Sequence, residues 1–109
     1  MSKLLPIVLA LLLLACATTA TTNYRPRGSN DAAWKITSTI QQNSLTVTIN
    51  DSTIVDESLG FFTGNGEFNR TYRDHSVNVI VEYVRDLLKG NYYNVLVMVD
   101  GEVAGRFQL

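Results

Sequence analysis

The side chains best suited to chemistry are scarce in this sequence, which holds one cysteine, Cys16, and one histidine, His75. Nucleophilic catalysis needs a nucleophile, a base and an orienting acid, and a structural zinc site needs about four ligands, mostly Cys and His. His75 stands in the polar stretch Arg73-Asp74-His75, which predicts a turn, and no serine has a recognisable nucleophile context. We therefore expect no catalytic residue and no metal site, and we interpret His75 as a surface turn residue.

The carboxylates and glycines complete no functional motif either. Two short acidic stretches, Asp56-Glu57 and Asp100-Gly101-Glu102, match part of the ligand pattern of a calcium-binding loop, but neither contains the complete pattern. The glycines between residues 60 and 66 match no phosphate-binding loop, so we expect no cofactor. A small enzyme that uses paired carboxylates stays as the least favoured alternative, because spacing along the chain does not reveal which carboxylates meet in space.

Residues 1–15 have the organisation of a targeting segment. Lys3 supplies a positive charge, and residues 4–14 are apolar throughout, with Pro6 as the only irregularity. This apolar run is too short to span a bilayer, which takes ~20 residues, but it has the size of the apolar region of a signal peptide. The sequence therefore predicts a signal peptide over residues 1–15.

The motif Leu13-Leu14-Ala15-Cys16 at the end of this segment resembles the lipobox of bacterial lipoproteins. The resemblance implies cleavage before Cys16, a diacylglycerol on its thiol and a fatty acid on the new N-terminus, because stable anchoring takes more than one acyl chain. Cys16 has no partner for an intramolecular disulfide, and lipidation would mask its thiol. The alternative is an ordinary signal peptide whose apolar run happens to end in Ala-Cys.

The resemblance also bears on location. Aspartate after the lipidated cysteine resembles an inner-membrane retention signal, and here Ala17 stands in that place. This implies an outer-membrane protein facing the periplasm if the source is Gram-negative. The chain holds nine Lys and Arg and ten Asp and Glu, so cleavage that removes Lys3 leaves eight against ten and a formal charge of −2. Such a balance argues against nucleic acid as a partner.

The mature chain divides into two parts. The first part, residues 16–32, holds the lipidated Cys16 and a run rich in Thr, Ala and Asn. It lacks apolar periodicity, and this composition predicts a flexible tether. A tether of this length would span ~20–25 Å on average. Residues 33–109 predict a single β domain.

Period-two alternation of apolar and polar residues predicts the strands of that domain. We expect an all-β fold, a small antiparallel sandwich or partly open barrel of six to seven short strands. Turn signals separate the strands, the strongest being Asp100-Gly101. The expected strands are 34–40, 45–49, 53–55, 68–72, 77–84, 92–99 and 103–109.

Residues 77–88 allow two interpretations. Val77, Ile80, Val81 and Val84 fall at helical spacing, which gives an α+β alternative with a helix near 77–89. The same stretch is rich in β-branched residues, which lose side-chain freedom in a helix. We therefore favour a strand to about Val84, followed by a loop or a single helical turn.

Aromatic residues are the best candidates for contact with a partner, although the alternative for Phe61 and Phe62 is that they cap the end of the core, as loop aromatics often do. Phe61 and Phe62 lie in a glycine-rich loop, and Tyr92 is expected to point away from its neighbour Tyr93. We expect a non-enzymatic, membrane-anchored binding or structural module that contacts an envelope protein or a cell-wall component. The alternative is a periplasmic inhibitor or protective protein that inserts the loop 56–66 into a cell-wall hydrolase.

Overall fold

The computed structural model describes residues 18–28, 32–59 and 65–109, and these form two four-stranded antiparallel sheets packed face to face as a sandwich. Within each sheet, every strand pairs with its neighbours in sequence, so each sheet is a meander. The first sheet contains β1 (Thr18–Tyr24), β2 (Trp34–Gln41), β3 (Ser44–Ile49) and β4 (Ser52–Ser58). The second contains β5 (Gly66–Tyr72), β6 (His75–Val84), β7 (Tyr92–Val99) and β8 (Glu102–Gln108). The predicted all-β sandwich is confirmed, with eight strands instead of six or seven.

Alternating residues of the strands meet between the sheets and form the core. The core is almost entirely aliphatic and β-branched, with Trp34 as its one large aromatic residue among the fully buried side chains of the described segments. β-branched side chains pack well on a pleated surface, and each fully buried one stabilises the fold by ~1.5–3 kcal/mol. The buried set is Trp34, Ile36, Ile40, Leu45, Val47, Ile49, Val55, Leu59, Val77, Val79, Val81, Val95, Val97, Val99 and Phe107.

Four of the hairpins use two-residue turns in which both residues have positive φ. This is the conformation of the type I′ turn, whose twist matches that of the strands it joins. Asp100-Gly101 confirms the strongest turn signal of the sequence. Gln42 and Arg73 occupy the first positions of two other turns, although neither belongs to the residue types that favour positive φ. The four turns are Gln42-Asn43, Asn50-Asp51, Arg73-Asp74 and Asp100-Gly101.

The ambiguous segment 77–88 is a strand up to Val84, as favoured from its composition, and the helix near 77–89 does not form. β6 lies between β5 and β7, and its residues Val77, Val79 and Val81 all point into the core. A helix would divide these three side chains between different faces, whereas a strand buries all of them together. A short turn at 87–89 follows before β7 begins.

Part of the expected tether is a strand instead of a flexible linker. Thr18–Tyr24 forms β1 and pairs antiparallel with β2, from Thr18 opposite Ile40 to Tyr24 opposite Trp34. Its alternation gives a weak sequence signal because inward residues such as Ala20 and Thr22 are small or polar. Pairing with the free edge of β2 provides the hydrogen bonds that make this polar segment a strand.

Side chains join the edges of the two sheets on both sides of the sandwich. Arg70 of β5 bonds to Glu57 of β4, with Nη2 3.2 Å from Oε1. On the opposite side β8 approaches β1 so closely that a Cβ placed on Gly105 would lie 2.9 Å from Cγ2 of Thr22. Glycine at position 105 is therefore a requirement of the contact between these two edges.

Several predicted features lie outside the described residues. They are the signal peptide over 1–15, the lipidated Cys16 and the loop aromatics Phe61 and Phe62. Within the residues that are described, no helix has the length and apolar character needed to cross a membrane.

Candidate functional site

The outer face of the first sheet is polar and rich in threonine. The registers place Thr39 opposite both Thr19 and Thr46, and Thr37 opposite both Thr21 and Thr48. The hydroxyls of Thr19 and Thr39 are 3.1 Å apart, as are those of Thr21 and Thr37. These hydroxyls satisfy one another across the strands, and no large apolar side chain of the described first-sheet strands is exposed.

The outer face of the second sheet differs because it carries large apolar side chains. Ile80 of β6 is paired with Leu96 of β7, and Met98 of β7 is paired with Val103 of β8. Ile80 is 36% exposed and Val103 is 44% exposed, while Leu96 and Met98 are half-buried. These four residues form a continuous cluster, which we call the outer apolar patch. Exposed apolar patches on soluble domains commonly mark binding surfaces.

A shallow depression of about 440 Å³ opens beside the patch. Ile80 and Leu96 form part of its lining, and Glu82 and Arg106 bring charges of opposite sign to it. Asn94 and Gln108, which are paired across β7 and β8, add amide groups. An apolar floor with a few polar groups is the usual composition of a recognition site, because the apolar part supplies affinity and the polar groups supply orientation.

The predicted contact residue Tyr92 lies on this same outer face. It begins β7, is half-buried and stands opposite Val84. Its neighbour Tyr93 points to the inner face, where its ring packs at 5.0 Å from that of Tyr83 on the adjacent strand β6. The hydroxyl of Tyr93 donates to Oδ1 of Asn43 in the other sheet. Desolvation raises the pKa of Tyr93, and the nearby Tyr83 raises it further. The expected opposite orientation of Tyr92 and Tyr93 is thus present.

At one end of the sandwich, His75 lies beside a carboxylate and an aromatic ring. Nδ1 of His75 lies 2.5 Å from Oδ2 of Asp100, and the ring of Trp34 packs edge-on against the imidazole at 5.2 Å. A histidine and a carboxylate are two parts of a nucleophilic triad. Within the described segments, however, the imidazole of His75 bonds to Asp100 and to no nucleophilic side chain. The sequence interpretation of His75 as a turn residue needs one correction, since it is the first residue of β6.

A second small depression, of about 260 Å³, lies near Asp100. The hydroxyl of Tyr24 donates to Oε2 of Glu102 at 2.8 Å, and Nε of Arg27 is 2.6 Å from Oε1 of the same carboxylate. Burial raises the pKa of Tyr24, and the hydrogen bond to Glu102 adds to the increase. These contacts satisfy Glu102 within the protein and tie β1 to β8. Among the described residues, no group of three or more His, Cys, Asp or Glu is placed to hold a metal ion.

The loop between β6 and β7 holds two residues whose exposure the sequence did not reveal. Leu87 and Leu88 are 105% and 97% exposed, more than any other large apolar residue of the described segments. The pairs Arg85-Asp86 and Lys89-Gly90 flank the two leucines in the sequence. Such flanking residues indicate a turn instead of a core segment, and they are the signal from which the exposure could have been predicted. This loop is a second candidate contact surface.

No protein-family model, curated protein or solved structure matches the chain. The chemistry of its surfaces and the motif at its N-terminus are therefore the grounds for assigning a function.

Proposed function

We propose that this protein is a lipid-anchored envelope lipoprotein that acts as a non-enzymatic binding module. The lipobox-like motif Leu13-Leu14-Ala15-Cys16 supports the anchor, with lipid on Cys16. Ala17 favours delivery to the outer membrane, on the periplasmic side, in a Gram-negative cell. The partner is an envelope protein or a cell-wall component, and nucleic acid is disfavoured by the net negative charge of the mature chain.

The observation that carries the binding function is the difference between the two outer faces. On the threonine face of the first sheet, hydroxyls pair across the strands at Thr19–Thr39 and Thr21–Thr37, whereas the second sheet exposes the outer apolar patch beside a depression lined by Glu82 and Arg106. A surface of apolar side chains with charges at its rim is suited to a protein partner. Tyr92 on the same face is expected to extend this contact.

The lipid anchor is tested by metabolic labelling with a fatty acid that carries an alkyne group. We expect the wild-type protein to incorporate the label and the Cys16→Ser protein to lose it entirely. Labelling of the Cys16→Ser protein, or none of the wild type, would refute the lipoprotein assignment. The labelled protein should fractionate with membranes.

Binding through the second sheet is tested by crosslinking in the native envelope, followed by purification and mass spectrometry. Ile80→Asp places a charge in the outer apolar patch, and Thr53→Asp places the same charge at an exposed position of the first sheet as a matched control. We expect Ile80→Asp to lose the dominant crosslinked partner and Thr53→Asp to retain it. Equal capture by both variants would refute this binding surface.

The identity of the partner decides between the leading function and the inhibitor alternative. A captured cell-wall hydrolase whose activity falls on addition of the protein would identify an inhibitor. A partner without such activity would identify an accessory module.

A further inference from the structure

The exposed leucines of the β6–β7 loop are presented by an ordered turn. Oδ1 of Asp86 accepts hydrogen bonds from the backbone N–H groups of Leu88 at 2.8 Å and Lys89 at 3.0 Å. The N–H of Gly90 donates to the carbonyl of Asp86 at 2.9 Å, and Gly90 has a φ of 85°, which suits glycine. These bonds close the loop on itself and leave Leu87 and Leu88 directed at solvent.

The charges of this loop are arranged around the leucines. Arg85 precedes them and Lys89 follows them, and both side chains are exposed. The single carboxylate of the loop, on Asp86, is engaged by backbone N–H groups, and these bonds lower its pKa. The loop therefore presents two apolar side chains flanked by two cations, which is the composition of a segment that binds an anionic lipid surface.

This loop lies at the end of the sandwich where β1 begins. Thr18 pairs with Ile40, next to the turn that contains Asn43. The hydroxyl of Tyr93 donates to Asn43, so the start of β7 reaches the same turn from the other sheet. Since the β6–β7 loop directly precedes β7, its leucines project from the end of the domain at which β1 starts.

The distance from the lipid to this end is short. Cys16 is two residues before Thr18, and two residues span at most ~7 Å. A flexible tether would have allowed the domain any orientation, but β1 leaves no room for one. Lipid on Cys16 therefore brings the end that carries Leu87 and Leu88 to the bilayer.

We propose that the β6–β7 loop is a second membrane contact, with Leu87 and Leu88 inserted between lipid headgroups and with Arg85 and Lys89 at the phosphates. This inference rests on the proposed lipid anchor, and it deepens that proposal by defining how the domain stands on the membrane. The strands rise away from the bilayer, the outer apolar patch faces sideways, and the end around His75 is farthest from the lipid.

The test uses the lipidated full-length mature protein in vesicles of phosphatidylcholine and phosphatidylglycerol with brominated acyl chains, which quench indole fluorescence on contact. Leu88→Trp places an indole in the loop, and Ser52→Trp places one at the opposite end as a matched control. Trp34 is fully buried and provides a constant background in both proteins. Both positions are exposed, so the two substitutions are expected to leave the unfolding temperature unchanged, which is checked first.

We expect the brominated lipid to lower the added emission of Leu88→Trp by about half, because interfacial side chains reach ~5–10 Å into the headgroup region. Ser52→Trp should be unaffected. Equal emission of Leu88→Trp in brominated and ordinary vesicles overturns the proposal. Shielding of this indole from iodide in native membranes but not in lipid vesicles also overturns it, because a protein partner would then cover the loop.

Fatty-acid labelling of the same preparations separates this inference from the anchor. A labelled protein whose loop indole is not quenched refutes only the loop contact. An unlabelled protein refutes the anchor. In that case the unlabelled protein is added to the same vesicles from solution. Quenching of Leu88→Trp under those conditions still supports the loop contact, and an absence of quenching overturns the loop contact.

Discussion

Nδ1 of His75, the first residue of β6, lies 2.5 Å from Oδ2 of Asp100, in the turn that follows β7. The other carboxylate oxygen of Asp100 accepts the backbone N–H of Ser76 at 2.9 Å, and the N–H of Asp100 donates to the carbonyl of Ser76 at 2.8 Å. A single residue in a turn thus joins the two central strands of the second sheet.

The first prediction concerns pH. The hydrogen bond from His75, and then that from Ser76, lower the pKa of Asp100. A carboxyl group whose pKa is lower in the folded state stabilises the protein above its unfolded pKa, ~3.9, and loses this contribution as the pH falls through the folded value. We expect Asp100→Asn, which keeps a residue type that tolerates positive φ, to be less stable than the wild type at pH 6.

The measurement for this prediction is urea unfolding of both proteins between pH 2 and pH 7. The difference in unfolding free energy should begin to fall as the pH drops below about 4 and should disappear only when the pH is below the folded pKa of Asp100. A difference that persists unchanged at pH 2 would show that Asp100 acts through its shape and not through its charge.

The second prediction concerns a buried hydroxyl. Ser38 in the middle of β2 is fully buried, and Oγ finds no hydrogen-bond partner in the part of the chain that the structure describes. Because an unsatisfied buried polar group costs ~1–3 kcal/mol, Ser38→Ala should raise the free energy of unfolding by ~1 kcal/mol. Ser58→Ala at an exposed site is the control and should change it by less than ~0.5 kcal/mol. Thermal unfolding tests both, and a loss of stability in Ser38→Ala would contradict the prediction.

The third prediction concerns the contact between β1 and β8. A Cβ on Gly105 would meet both Thr22 and the ring of Phe107 at 2.9 Å, so Gly105→Ala should lower the free energy of unfolding by ~1–3 kcal/mol. Adding Thr22→Ala removes one of the two clashes and should restore part of the loss. A double-mutant cycle by chemical denaturation measures this coupling. Additive effects of the two substitutions would show that β8 does not press against β1 at this point.

The fourth prediction concerns the β2–β3 turn. Gln42 has a φ of 50°, a conformation that asparagine tolerates better than glutamine because its short side chain bonds locally to the backbone. Gln42→Asn should therefore raise the free energy of unfolding by ~0.5 kcal/mol. Gln41→Asn, one position earlier in β2, is the control and should give no increase. Equal effects of the two substitutions would exclude turn geometry as the cause.

Alternation and turn residues made much of the fold predictable. Asp100-Gly101 and Asn50-Asp51 marked hairpins because few residue types accept positive φ, and that requirement is local to the turn. The β-branched composition of 77–84 favoured a strand over a helix for a reason that is also local, the stiffness of the side chains. The candidate site was less predictable, since Ile80 fits equally well in a core, and only its place on the sheet puts it outside.

The sequence by itself determined the motif at Cys16, the inward and outward alternation of most strands and the positions of the tight turns. The tertiary structure alone decided that Thr18–Tyr24 is a strand, because a threonine-rich segment becomes one only when the free edge of β2 accepts its hydrogen bonds. It also decided the exposure of Leu87 and Leu88, and that they lie at the end where β1 begins. The pairing of β1 and the placement of these leucines depend on neighbours distant in the chain, and no local pattern encodes them.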